Sequence, residues 1–464
     1  MENLSAKELK EKLLIDNKNA GLRLTDAEIE SAVKYCGGYI DFLNCAKTER
    51  LAAQCSVEML ENHGFRPLDR NHRYKSGEKI YYLNRNKAVI AVVFGKRLLS
   101  DGINLVAAHI DSPRLDLKPR PLYEQGQIAL FKTHYYGGIK KYQWSAMPLS
   151  LIGVIVKKDG TAIPVNIGEN PCDPVFTVTD LLPHLANEQH KRSLKDGIKG
   201  EELNILIGLT PFRDDDESEK VKLNIIKILH EKYEINEHDF LSAELEAVPA
   251  YPAKDVGLDR SMVGGYGQDD RVCSYTALTA MLNTKTPEKT AVLLLADKEE
   301  VGSQGNTGLQ AAYFRYFLAD LAKPHGIEAR DILSNSRCLS ADVNVAFDPT
   351  FPDVLEKRNA AYLNYGVTLT KYTGRFGKLG SSDANAEYLA QIRALFDENN
   401  IIWQTGELGK VDEGGGGTVA LHLANLDMDV ADVGVPVLSM HSPFEITSKL
   451  DVYMAHKAFS AFFK

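Results

Sequence analysis

Ile103-Asn104-Leu105-Val106-Ala107-Ala108-His109-Ile110-Asp111-Ser112-Pro113 carries an apolar run into an imidazole and a carboxylate. Residues 103–108 are mostly apolar, so they read as a buried strand with His109 and Asp111 delivered together at its end. In an open α/β sheet, ligands bind in the crevice outside such strand ends. Strand-like runs at 79–84 and 88–94 come before it, and 291–296 is a second, fully apolar strand. Helical patterns flank them. Thr25-Asp26-Ala27-Glu28 is a capping box, and Leu51, Cys55 and Met59 share one face of a helix stopped near Gly64. Residues 274–282, 307–321 and 450–463 are also expected to be helical. Helices layered on buried strands define an α/β domain.

After Pro119 the pattern changes. Residues 149–156 read as extended, Lys158-Asp159-Gly160 as a turn, and Ala162-Ile163-Pro164-Val165 resumes the extended pattern. The acidic run Asp214-Asp215-Asp216-Glu217 reads as a solvated loop, and a helical pattern around Leu223, Ile226 and His230 follows it. Turn residues at Val248-Pro249-Ala250 return the chain to the first domain. The organisation expected is a discontinuous catalytic domain, residues 1–115 and 249–464, interrupted by a β-rich domain over 116–248. Insertion at a surface loop is permissive because the host chain ends lie close together there.

The chain has 464 residues, too many for one comfortable core, and its 44% hydrophobic and 25% charged residues fit an ordinary soluble enzyme. A net charge of -9 argues against nucleic acid or an anionic membrane as partner. Cys36, Cys45, Cys55, Cys172, Cys273 and Cys338 are scattered without disulfide-framework spacing, which fits a reducing compartment. No apolar signal opens the sequence and no apolar stretch approaches 18 residues. A cytoplasmic, soluble protein is expected.

His109 can offer a neutral imidazole to a borderline-soft ion such as Zn²⁺, with Asp111 accepting its other ring N–H. Taken alone, the pair reads more readily as a capped strand-end histidine with a surface aspartate. Asp269-Asp270 follows Gly264-Gly265-Tyr266-Gly267 and precedes a helix, so one carboxylate can face two ions. Asp269 is the expected bridge, Asp270 the one-residue alternative, and an acidic helix cap the non-functional reading. Glu299-Glu300 sits at the mouth of the strand 291–296, where adjacent buried carboxylates are costly unless a cation relieves them. Glu300 would ligate and Glu299 shuttle a proton, unless both belong to a solvated loop. Asp342, among apolar neighbours, and His441, before Ser442-Pro443, complete two three-residue sets. His109, Asp269 and Asp342 would hold one ion, and Asp269, Glu300 and His441 the other. A shared Asp269 would set the ions about 3.5–4 Å apart with a hydroxide between them, which is hydrolytic chemistry.

In this order, 107–113, Asp297-Lys298-Glu299-Glu300-Val301-Gly302-Ser303, Ser340-Ala341-Asp342 and Leu438-Ser439-Met440-His441-Ser442-Pro443-Phe444-Glu445 resemble the M18 family of metalloaminopeptidases, which includes aspartyl aminopeptidase and aminopeptidase I. The resemblance spans nearly the whole chain. It implies a zinc-peptidase-like α/β/α catalytic domain with an inserted dimerisation domain. It makes His109, Asp269, Glu300, Asp342 and His441 the ligands of two divalent ions, zinc first, with cobalt or manganese as alternatives. It makes Asp111 the carboxylate orienting His109 and Glu299 the general base. Short peptides would be the substrates of a homodimer that builds a tetrahedral homododecamer. His184, in Asp180-Leu181-Leu182-Pro183-His184-Leu185, would enter the dimer partner's active site to hold substrate or stabilise the oxyanion.

The chain departs from that family where Asp269 is followed by Asp270-Arg271 rather than asparagine and leucine, a pattern closer to M42 peptidases. It also departs at Thr368-Leu369-Thr370-Lys371-Tyr372-Thr373-Gly374-Arg375-Phe376, where the aspartyl enzymes carry an Ile-Lys pair and a later Arg-Tyr, so a preference for acidic N-terminal residues does not follow. The run Asp412-Glu413-Gly414-Gly415-Gly416-Gly417-Thr418 resembles a substrate-proximal loop; without a Gly-Lys-Ser or Gly-Lys-Thr it is no phosphate loop, and a plain flexible turn is its other reading. A deacylase or other amide hydrolase on the same dimetal scaffold, and a non-catalytic metal-binding assembly protein, are the alternative functions.

Overall fold

The computed structural model describes residues 5–15, 17–213 and 218–464; the acidic run 214–217 lies outside the described residues. Its organising element is a nine-stranded mixed sheet. The order runs Arg66–Pro67, Lys79–Asn84, Ala88–Val93, Thr290–Ala296, Ile103–His109, Arg337–Ser340, Asp429–Gly434, Val367–Thr370, Trp403–Thr405. The strand Thr290–Ala296 explains why the central sequences lack polar alternation. Ala291, Leu293 and Leu295 enter one core with Tyr39, Leu278, Tyr388 and Phe459. Val292, Leu294 and Ala296 enter the opposite core with Phe314, Phe317, Leu318 and Leu423. Successive side chains point to opposite faces, so a strand covered by helices on both sides must be apolar throughout. Helices Asp26–Cys45, Gln268–Asn283, Ala386–Glu398 and Lys449–Phe462 cover the first face, and Tyr313–Ala322 and Ala420–Ala424 the second. The fold is α/β, a helix–sheet–helix sandwich.

Local signals behave as their chemistry requires at several boundaries. Thr25 caps the helix Asp26–Cys45, and its N–H donates to Glu28 at 3.0 Å, closing the capping box. Two expectations need correction. The helix expected over 307–321 begins only at Tyr313, because residues 306–312 form turns, in which the Gln310 N–H donates to the Ser303 carbonyl at 3.0 Å and the Ala311 N–H to that of Gly308 at 3.1 Å. Cys45 and Cys55, expected as isolated thiols, form a disulfide. The turn after Cys45 folds helix Glu49–Asn62 back until the two Cα atoms are 6.9 Å apart, a tertiary placement that spacing alone does not reveal. Cys36, Cys172, Cys273 and Cys338 are free.

A second, seven-stranded antiparallel sheet is built from strands between Arg114 and Pro249, in the order Ala162–Ile167, Leu149–Val156, Ala243–Pro249, Arg114–Gln125, Ile128–Tyr136, Ile205–Gly208, Thr177–Val178. It has its own core around Phe131, Trp144, Leu149, Ile152, Val165 and Phe240. A third, five-stranded sheet pairs Met262–Gly265 with Glu445–Ser448, which brings the segments around Asp269 and His441 side by side. Among the described residues, no helix is long and apolar enough to cross a membrane.

Candidate metal centre

Strand register sets the first half of the site. Ile103–His109 lies parallel to Thr290–Ala296, with His109 opposite Ala296, and parallel to Arg337–Ser340, with Ala107 opposite Ser340. The three strands therefore finish in one layer, and Asp111, Glu299, Glu300 and Asp342 all follow within four residues of a strand end. His109 is buried, with 1% of its surface exposed. Its Nδ1 faces the Asp111 carbonyl oxygen at 3.1 Å and Asp111 Oδ1 at 3.3 Å. Its Nε2 faces Asp269 Oδ1 at 3.1 Å and Asp342 Oδ1 at 3.7 Å.

Asp111 does more than face His109. Its Oδ1 accepts the Glu299 N–H at 3.1 Å and its Oδ2 the Glu300 N–H at 3.2 Å. One carboxylate thus fixes both the first imidazole and the backbone that presents the glutamate pair.

The second half comes from the five-stranded sheet. Asp269 and Asp270 open the helix Gln268–Asn283 with non-helical dihedrals, so their carboxylates leave its axis. Gly267 precedes them at φ +74°, and a Cβ there would stand 1.7 Å from an Arg271 guanidinium nitrogen, so only glycine fits. Asp269 Oδ2 lies 3.0 Å from His441 Nε2, and Glu300 Oε2 lies 3.3 Å from the same nitrogen. Unlike His109, His441 does not end a strand. The strand stops at Leu438, and Ser439 and His441 adopt φ of +58° and +64° in the turn that follows.

Ligand atoms of His109, Asp269 and Glu300 lie within 4.8 Å of one another, as do those of His109, Asp270 and Asp342. Asp270 is distinguished from Asp269 by its contacts. Its Oδ2 accepts the His109 backbone N–H at 3.3 Å, and its Oδ1 is buried without a hydrogen-bond partner.

Charge reinforces the geometry. Burial would raise the Asp269 carboxyl, yet hydrogen bonds from His109 and His441 outweigh it and hold the group below the usual carboxylate range. Burial pushes Glu299 up to about 8, helped by Asp342, Asp111 and Asp269 and opposed by His109. Glu300 is likewise raised by burial and then by Asp269. Glu300 Oε1 is also buried without a partner. Crowded carboxylates with unpaired buried oxygens, interleaved with two imidazoles, are the donor set of a divalent-cation site, where the cations offset repulsion and desolvation.

The expected residues His109, Asp111, Asp269, Glu299, Glu300, Asp342 and His441 converge. His184 stands apart, exposed in the short turn Pro183–Leu185 between the strands Thr177–Val178 and Ile205–Gly208 of the seven-stranded sheet. Lys371 is paired with Asp383 at 2.8 Å and donates to the Ala384 carbonyl at 3.0 Å. Sequence reasoning missed Glu445, whose two carboxylate oxygens accept the His441 N–H at 2.8 Å and the Asp269 N–H at 3.2 Å. It lies four residues beyond His441 and closes the segment 438–445 that carries the family resemblance, which was the signal for it.

The family profile described as aminopeptidase I zinc metalloprotease (M18) matches residues 42–463. The chain belongs to the M18 family. It is 49% identical over 458 residues to a probable M18 family aminopeptidase 1 of Clostridium acetobutylicum, covering 97% of this chain and 98% of that protein. A crystal structure of an M18 family aminopeptidase from Thermotoga maritima aligns with a TM-score of 0.93 at 45% identity, covering 97% of this chain and 99% of that one. At 21% identity, the S. cerevisiae mApe1 dodecamer shares the fold, with a TM-score of 0.75 over 94% of this chain and 97% of that one. As an M18 enzyme with His109, Asp269, Glu300 and Asp342 clustered, the chain is a zinc-dependent, dimetal metalloaminopeptidase.

Proposed function

We propose that His109, Asp269 and Asp342 hold one ion and Asp269, Glu300 and His441 the other, with Asp269 as the shared ligand. The observation that carries this is the division of one carboxylate: Asp269 turns Oδ1 to His109 and Oδ2 to His441. Asp270 binds the His109 backbone instead and serves as a neighbouring carboxylate rather than the bridge. Two divalent ions, zinc with cobalt or manganese as substitutes, supply Lewis acidity that polarises a carbonyl and acidifies water. Glu299 takes the proton of the attacking water and returns it to the leaving amine. Asp111 holds His109 in the tautomer that presents Nε2 and keeps the Glu299 backbone in place.

The substrates are short peptides with a free N-terminal amine, which meets the surrounding carboxylates. Paired peptides with free and acetylated N-termini test this. Release of the first residue from the free peptide alone is expected, whereas equal cleavage of both would make the protein a general amide hydrolase.

We further propose that residues 116–248 form a dimerisation domain between the two parts of the catalytic domain, 1–115 and 249–464. Dimers would assemble into a homododecamer, a reading supported by the separate core of the seven-stranded sheet and by the dodecameric state of mApe1. His184 would then act in the partner's active site. Confirmed mixed dimers of His184→Ala and Glu299→Ala should recover part of the lost turnover, and no recovery would remove that role. A cytoplasmic location is supported by the buried free thiols of Cys36, Cys273 and Cys338, with the Cys45–Cys55 bridge weighing against it. Recovery of the native protein from an extracytoplasmic fraction would overturn that location.

A further inference from the structure

The strand Ile128–Tyr136 belongs to the seven-stranded sheet, yet the chain at its end touches the catalytic cluster twice. Tyr136 Oη donates to Asp111 Oδ2 at 2.8 Å. Two residues later, the Gly138 carbonyl faces His441 Nδ1 at 2.9 Å. The first contact lies behind His109, through Asp111, and the second directly behind His441. The two imidazoles whose Nε2 atoms face Asp269 are thus both backed by one short stretch of the inserted region.

That stretch is firmly seated. The Arg114 guanidinium carbon stands 3.9 Å from the Tyr136 ring centroid. Arg114 is 6% exposed and is held by Asp116 at 2.8 Å and by Glu49 and Glu246 at 3.2 Å each. Gly137, at φ +74°, runs alongside the cluster, where a Cβ would stand 3.3 Å from the Pro113 ring and 3.4 Å from Glu300 Cβ.

We infer that Tyr136 and the Gly138 carbonyl are positioning groups through which the inserted sheet, in the same chain, sets the metal affinity of the catalytic centre. The inference rests on the dimetal reading above. An imidazole that ligates through Nε2 must carry its proton on Nδ1, and a carbonyl oxygen, which can only accept, enforces that tautomer for His441. For His109 the acceptor is Asp111. The Tyr136 O–H, with the Glu299 and Glu300 N–H groups, occupies the remaining acceptor directions of that carboxylate and fixes its orientation. The inserted sheet therefore has a part in its own chain's active site, separate from any contact it makes with a second subunit.

Tyr136→Phe keeps the ring over Arg114 and deletes only the hydroxyl. Chelator competition with Zn²⁺ on apoprotein should show one of two ions bound about 10–100-fold more weakly, the usual effect of losing an outer partner of a metal ligand. The apoprotein should keep its fold by circular dichroism, with only the modest fall in melting temperature that one lost hydrogen bond brings, and Tyr135→Phe, altering the neighbouring exposed tyrosine, should bind both ions as the wild type does. Tyr136→Phe added to Asp111→Asn should weaken binding no further than Asp111→Asn alone, because the hydroxyl acts through that carboxylate. Wild-type affinity in Tyr136→Phe, or full additivity in the double variant, would overturn the inference while leaving the dimetal centre intact. A folded wild type that binds fewer than two ions would overturn the dimetal reading and this inference with it.

Discussion

His441 Nε2 and Asp269 Oδ2 meet at 3.0 Å. The contact joins a turn near the C-terminus to the opening of the helix Gln268–Asn283, and the pairing of Gly265 with Glu445 in the five-stranded sheet is what brings the two segments together. Glu445 completes the link by accepting backbone N–H groups from both residues. The imidazole is therefore held from the backbone side as well as through its ring, and its replacement would remove the Nε2 contact with Asp269 without removing the turn.

His441→Ala is expected to leave the protein folded with one ion at near wild-type affinity. The other ion should weaken by more than the about 10–100-fold that loss of an outer partner costs. Metal content measured beside turnover checks this, and two tightly held ions in the variant would exclude His441 as a ligand.

Glu299→Gln should retain both ions, because its backbone N–H still reaches Asp111 and its carboxylate is not among the proposed ligands. Turnover should fall about 10²–10⁴-fold, the usual worth of a positioned acid–base group. Full activity in the variant would remove Glu299 from the proton path.

Much of this was legible in the chain itself. The run 103–108 declared a buried strand because residues covered by helices on both faces have no reason to alternate with polar ones, and His109 then stood out at its end. The Glu299-Glu300 pair was legible for the converse reason, since two carboxylates beside a buried strand need a cation. Other features depend on tertiary placement. Tyr136 and Gly138 act on the site only because the second sheet abuts the first, and nothing in their local sequence marks them. The Cys45–Cys55 bridge depends on the helix Glu49–Asn62 folding back against the end of the helix before it. The late start of the helix at Tyr313 shows turn hydrogen bonds, such as that from the Gln310 N–H to the Ser303 carbonyl, overriding a periodic pattern.

Stability should also depend on a histidine outside the centre. His456 sits in the helix Lys449–Phe462, its Nδ1 3.0 Å from Thr279 Oγ1, and burial lowers it to about 4, against a weaker backbone hydrogen bond with Thr276 that raises it. A lowered folded-state value means the unfolded chain binds the proton more readily. The stability is thus fully present above pH about 6.5 and is lost as pH falls towards about 4, a loss on the order of 3 kcal/mol. His456→Gln should flatten that part of the stability–pH curve in denaturant titrations. An unchanged slope between pH 6.5 and 4 would show that His456 is not the group responsible.

Metal stoichiometry tests the central claim most directly. Purified apoprotein titrated with Zn²⁺ should take up two ions per chain, and Asp269→Asn, which disturbs the one carboxylate facing both imidazoles, should weaken both together while Asp342→Ala weakens only one. Retention of two ions at wild-type affinity in Asp269→Asn, or fewer than two in the folded wild type, would contradict a dimetal centre bridged by Asp269.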